Sequence, residues 1–116
     1  MSADTEQQFY INVRRGQARV ILELQGELDL ACASQLDEAL AGADLDGSDA
    51  VVLDLRGVGF LDSTGLKAIF RARKAVVESG RRFAITEGSA QVQRLLSLTR
   101  LSDHLQTIDT PDSDLG

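Results

Sequence analysis

The sequence predicts an α/β domain: a mixed sheet of four to five strands with helices packed mainly on one face. Three observations predict it. The hydrophobic period switches between strand-like and helix-like along the chain, in the order ββαβαβα(β). The nearly unbroken apolar run at 51–55, ending in Asp54-Leu55, reads as a strand buried on both faces, as inside a parallel sheet. Turn and cap residues fall between the periodic segments, with glycines at 16, 42 and 80. A hairpin followed by βα units makes the sheet mixed, because each helical crossover returns the next strand parallel. Three helices suit one layer on the sheet better than winding on both sides.

Each element has its own signal. Residues 1–8 are polar and read as a frayed start. Phe9, Ile11 and Val13 alternate as in a strand, and Arg14-Arg15-Gly16-Gln17 has the chemistry of a tight turn. Alternation then resumes over 18–26, with Val20, Leu22 and Leu24 on one face and Glu23 and Gln25 on the other. The pair reads as an antiparallel hairpin with one wet face. After Gly26-Glu27-Leu28-Asp29 the spacing turns helical: Ala33, Leu36 and Leu40 share a face with Ala39, and Gly42 stands where a C-cap glycine is expected.

A polar loop at 43–49 leads to the buried strand at 51–55, after which Gly57 and Gly59 permit an irregular turn. A second helix is expected over about 62–78, burying Leu66, Ile69, Phe70, Val76 and Val77 and ending at Gly80. Residues 82–86 form a fourth strand. Ser89 can cap a third helix with the face Val92, Leu95, Leu96 and Thr99. Residues 105–108 make a last edge strand, which Pro111 stops. The acidic tail beyond Thr110 is expected to have no core to join. One domain spans 1–116, with its folded part at about 9–108.

Composition excludes several function classes. With 12 basic and 18 acidic side chains among 116 residues, the formal net charge is −6, and the field would repel nucleic acid phosphates. No apolar run approaches the ~18 residues of a membrane span, and the polar start is no secretory leader. The single cysteine, Cys32, cannot form an internal disulfide, which fits a reducing compartment, so a cytoplasmic location is expected.

Catalytic and metal-binding motifs are missing as well. The one histidine, His104, reads as a surface imidazole, and no second histidine or cysteine pair offers a metal site. Residues 44–49 have acidic spacing faintly like a calcium loop, but glycine falls at the wrong position and Leu55 stands where a bidentate glutamate is required. No phosphate-cradling glycine motif is present. The chain is therefore expected to be no enzyme and to carry no cofactor. Cys32, early in a helix, reads as a small packed residue rather than a reactive thiol. Lys67, Arg71, Arg73, Lys74, Arg81 and Arg82 put half of the positive charges within 16 residues, either as a solvated face or as a patch for an acidic protein.

The most informative segment is VVLDLRGVGFLDSTGLKAIF, residues 51–70. Asp62 is a natural N-cap, which places Ser63 at the first helical position and Gly65 near the third. Unpaired N–H groups and the helix dipole favour an anion there, so a phosphate on Ser63 would be tolerated locally. Gly65 removes bulk that would crowd an approaching partner. A plain capping segment explains the same residues equally well.

Three blocks, GELDLACASQL, VVLDLRGVGFLDSTGL and ITEGSAQVQRLLSLTRL, in this order and spacing, resemble the STAS domain, and in particular the bacterial anti-sigma factor antagonists. The resemblance spans roughly residues 9–108. It implies a STAS-like fold and a partner-switching role in transcription and stress response. The unmodified antagonist binds an anti-sigma factor that is also a serine kinase of the GHKL ATPase type, and the sigma factor is freed. The kinase phosphorylates the antagonist, which lets go, and a PP2C-type phosphatase reverses the step. By position the resemblance implies Ser63 as phosphoacceptor, Asp62, Thr64 and Gly65 as its frame, and Asp29 as a nearby loop acid. Two residues depart from the family pattern, each where glycine is common: Lys67, one helical turn past Ser63, and Arg100. Lys67 could pair with a phosphate on Ser63 and bears on partner choice. An alternative reading is a non-catalytic STAS scaffold subunit of a stress-sensing or transport complex.

Overall fold

The computed structural model describes residues 9–99 and 103–116. The expected frayed start at 1–8 and the departure at Arg100 lie outside the described residues. Among those described, the elements are β1 (Phe9–Gly16), β2 (Arg19–Leu28), α1 (Ala33–Gly42), β3 (Ala50–Leu61), α2 (Ser63–Glu78), β4 (Arg82–Thr86), α3 (Ala90–Ser97) and β5 (Gln106–Ile108). The strands lie side by side in chain order, with β1 antiparallel to β2 and each later pair parallel. This is the mixed sheet that the sequence predicts.

All three helices bury their apolar stripes on one face of the sheet. Val20, Leu22 and Leu24 of β2 and Val51, Leu53 and Leu55 of β3 meet Leu36, Ile69 and Val92 there. The helix α2 turns Leu66, Ala68, Ile69, Ala72 and Val76 inward. Val77, expected in that stripe, is 46% exposed, because Val76 already takes the inward position and the next residue is rotated by about 100°.

Several boundaries differ from expectation, for nonlocal reasons. The hairpin turn falls at Gln17-Ala18 rather than 14–17, and Ala18 takes a positive φ of 58°. Arg14 and Arg15 remain in β1, where Arg14 Nε bonds Glu23 across the ladder at 2.7 Å. Gly42 is the last residue of α1 and Ala43 its cap. The largest change is β3, which runs on through Gly57 and Gly59 to Leu61 instead of turning. It does so because β2 continues to pair with it, with register shifts between Glu23 and Gln25 and between Gly26 and Glu27. At the first shift a Cβ on Gly57 would stand 2.9 Å from the Leu24 carbonyl oxygen, so a glycine permits the strands to close.

The tail is a further correction. It joins a second apolar cluster on the opposite face of the sheet, where Leu115, 8% exposed, packs with Ile21, Ala50, Val52, Ala84 and Ile108. Arginines fasten its backbone. Arg19 donates to the Pro111 and Ser113 carbonyls at 2.8 Å each, and Arg82 donates to those of Leu115 and Gly116. Ile21 lies on the face of β2 opposite Val20, Leu22 and Leu24, and the tail covers it.

Candidate functional site

The N-terminus of α2 sits where β3 ends, next to the loop that leaves β2. Asp62 joins the two. Its Oδ1 accepts the Gly65 N–H at 2.8 Å, which caps α2, and its Oδ2 accepts the Leu30 N–H at 3.3 Å. Its own N–H donates to the Leu28 carbonyl at 3.4 Å. One carboxylate thus satisfies an orphan helix donor and pins the neighbouring loop.

Asp29 holds that loop from within. Its side chain accepts the Ala31 N–H at 3.1 Å, and its carbonyl accepts those of Cys32 and Ala33 at 3.0 and 2.9 Å. Asp29 and Asp62, distant in sequence, therefore meet at one mouth. Burial, with Asp29 alongside, pushes the Cys32 thiol above its ordinary range, so it is a thiol and not a thiolate at neutral pH.

Ser63 is the first residue of α2 and is exposed, Thr64 is half-buried and Lys67 is exposed. Gly65 is buried beneath them. A Cβ on Gly65 would lie 2.1 Å from the Leu28 carbonyl oxygen and 2.8 Å from Leu61 Cδ1. The space left by the missing side chain is filled by this chain's own β2 end.

The basic cluster does not form one free face. Arg71 bonds Asp37 of α1 at 2.9 Å, Arg73 bonds the His104 carbonyl at 3.0 Å, and Arg81 bonds the carbonyls of Ser48 and Leu45 at 3.0 Å each. Arg82 holds the tail. Among the described residues, Lys67 has no ion pair.

Ser89 caps α3 as the sequence predicts, accepting the Val92 N–H at 3.4 Å, but sequence reasoning missed how it, Thr86 and Gln91 complete the far side of β3. Pairing with β4 stops at Leu53, leaving the rest of that edge without a strand. Side chains take over. Thr86 Oγ1 accepts the Leu55 N–H at 2.8 Å, Ser89 Oγ donates to the Gly59 carbonyl at 3.3 Å, and Gln91 meets both backbone groups of Leu61 at 2.9 Å. A polar residue in the first turn of a short helix carries no periodic signal, so Gln91 could not be singled out.

No group of three or more histidine, cysteine or acidic residues is placed to hold a metal ion among the described residues. No described helix is long and apolar enough to cross a membrane.

Comparison with known proteins adds to this geometry. The family model of the STAS domain matches residues 10–113. The chain belongs to the STAS domain family. Curated relatives include the anti-sigma-F factor antagonist RsfB of Mycobacterium tuberculosis, 33% identical over 77% of this chain and 66% of its own length. The anti-sigma-B factor antagonist of Staphylococcus aureus is 30% identical over 71% of this chain and 76% of its own. This STAS chain thus spans a little under two-thirds of the mycobacterial relative it matches. Among solved structures, an anti-sigma factor antagonist from Mycobacterium paratuberculosis superposes with a TM-score of 0.79 at 25% identity, covering 90% of this chain and 89% of that one. Unphosphorylated SpoIIAA, at 15% identity, shares the fold with a TM-score of 0.69 over 85% of this chain and 88% of its own.

Proposed function

We propose that this STAS chain is an anti-sigma factor antagonist that works as a non-catalytic, phosphorylation-controlled switch. Its unmodified form binds an anti-sigma factor serine kinase of the GHKL ATPase type, and the sigma factor is released. The kinase moves the γ-phosphoryl group of ATP to Ser63 Oγ, with ADP and the hydroxyl proton as the other products. Binding then ends, and a PP2C-type phosphatase restores the hydroxyl. Asp29, Asp62, Thr64, Gly65 and Lys67 frame the contact.

The observation that carries this reading is the exposed Ser63 at the first position of α2, beside a cap that Asp62 already satisfies. A phosphate there brings ~−1.5 to −2 charges into the contact surface. The helix dipole tolerates that charge within the free chain, so the domain stays folded. In a complex the same charge must be desolvated or opposed by the partner. A cost of only ~3 kcal/mol weakens binding more than a hundredfold. The names of the curated relatives support the partner class.

Incubation with the cognate kinase and ATP, followed by peptide mass spectrometry, tests the reading. A single phosphate is expected on Ser63 of the wild type and none on Ser63→Ala. Label on both would move the site elsewhere. In a pull-down from the native cell, Ser63→Ala is expected to retain an ATP-binding protein that Ser63→Asp loses. Capture of a transporter component instead would favour the scaffold reading. The same assay with Lys67→Gly is expected to change which paralogous kinases are retained, and an unchanged set would remove Lys67 from partner choice.

A further inference from the structure

The geometry points to Gln91 as the positioning residue of the Ser63 mouth, an inference that rests on reading Ser63 as the acceptor. Leu61 is the last residue of β3 and is followed directly by the cap Asp62 and then Ser63. On one side β2 runs beside it, in register at Leu28. On the other side the parallel ladder with β4 has ended eight residues earlier, at Leu53. A bare strand end there would leave the Leu61 N–H and carbonyl without protein partners.

Gln91 replaces the missing strand. Its Oε1 accepts the Leu61 N–H at 2.9 Å and its Nε2 donates to the Leu61 carbonyl at 2.9 Å. A primary carboxamide reproduces the donor and acceptor of a peptide group, and this one uses both on a single residue. Ser89, two residues before Gln91, meets the Gly59 carbonyl two residues before Leu61. The start of α3 thus runs along the open edge of β3 as a strand would.

The consequence concerns the acceptor. A kinase transfers phosphate only to a hydroxyl held in line with ATP, and small misplacements cost heavily in rate. Asp62 fixes Ser63 relative to α2 and the β2 loop, while Gln91 fixes the end of the strand on which both are mounted. Loss of the carboxamide should leave Ser63 exposed but looser, so its effect falls on transfer within the complex more than on folding.

Two variants and two measurements test this. Gln91→Leu keeps the bulk and removes both hydrogen bonds. Gln91→Glu keeps an acceptor but, when ionised, loses the donor. In hydrogen exchange followed by NMR, Gln91→Leu is expected to lower protection of the Leu61 amide about tenfold or more, the worth of one such bond. The Ile85 amide, inside the regular ladder, should not change. Gln91→Glu should keep protection of the Leu61 amide, because a carboxylate oxygen still accepts that N–H, while the Leu61 carbonyl loses its donor.

In the phosphorylation assay with the cognate kinase, Gln91→Leu is expected to lower kcat about tenfold with KM little changed. As a control for stability alone, Leu96→Val trims the core of α3 and leaves Gln91 in place, and it should label like the wild type. Unchanged Leu61 protection in Gln91→Leu would overturn the inference. So would equal loss of labelling in Gln91→Leu and Leu96→Val. A wild-type chain that no kinase labels would sink the reading of Ser63, and the exchange experiment would still decide whether Gln91 holds the mouth.

Discussion

At the scale of single residues, the site depends on a side chain that is missing. Gly65 lies under Ser63, and the Leu28 carbonyl occupies the place of its Cβ at 2.1 Å. That oxygen belongs to backbone, so it cannot rotate away as the end of a flexible side chain could. Either α2 lifts or the end of β2 shifts, and both movements strain the two bonds that Asp62 makes to Gly65 and Leu30. Gly65→Ala is therefore expected to cost about 2–3 kcal/mol, although alanine is the better helix former. Thermal unfolding should show a midpoint lower by about 10 °C or more. A variant as stable as the wild type would mean that the loop yields freely. The cap residues Asp62 and Ser63 were legible in the sequence because capping is local chemistry. The reason for Gly65 was not, since the atom it makes room for lies 37 positions earlier in the chain.

At the scale of elements, β3 carries most of what the sequence concealed. Its first half was legible from the nearly unbroken apolar run at 51–55, which reads as buried on both faces. Its second half, Arg56–Leu61, alternates poorly and contains two glycines, and it is a strand only because β2 and side chains from Thr86, Ser89 and Gln91 partner it. Near the end of the first half stands Asp54, a buried carboxylate on the face away from the helices. Burial alone would raise its pKa. The paired guanidinium bonds from Arg56 at 2.9 and 3.0 Å, the Arg56 N–H and the Thr86 hydroxyl more than reverse this, so the pKa is lowered. A carboxylate with a lowered folded-state pKa contributes stability that is present above its unfolded pKa of about 4 and is lost as pH falls through the folded value. Asp54→Asn is accordingly expected to be less stable by about 1–2 kcal/mol at pH 7 and to lose part of the acid dependence below pH 4. Glu23, also lowered by its bonds to Asn12 and Arg14, retains the remainder. Urea titrations at pH 7 and pH 3.5 check this, and a difference between the two proteins that is the same at both pH values would exclude the linkage.

At the scale of the whole molecule, the sheet has two apolar faces and only one layer of helices. The helices seal one face, and on the other Ile21 and Val52 are fully buried with no helix above them among the described residues. The segment after Thr110 supplies the cover, with Leu115 as its apolar plug and Arg19, Arg82 and Gln106 holding its carbonyls. Its sequence is polar and acidic because its backbone, Pro111 and Leu115 make the contact while Asp112 and Asp114 are exposed. Composition therefore described its outer side and hid its inner one. Leu115→Ala removes the plug and leaves the arginine bonds, so a loss of about 2 kcal/mol is expected, near the lower end for a truncated leucine because water can reach the gap. A chain ending at Thr110 loses the bonds too and bares Ile21, Val52 and Ala84 as one patch, which should bind a hydrophobic dye and promote self-association. Thermal unfolding, dye fluorescence and light scattering read these outcomes together. Since Ser63 lies on the helical side of the sheet, Leu115→Ala should still be labelled at Ser63 at a temperature where it remains folded. An unfolding midpoint unchanged in both variants would mean that the tail merely rests on the sheet, and a loss of labelling in the folded Leu115→Ala protein would mean that the two faces are coupled.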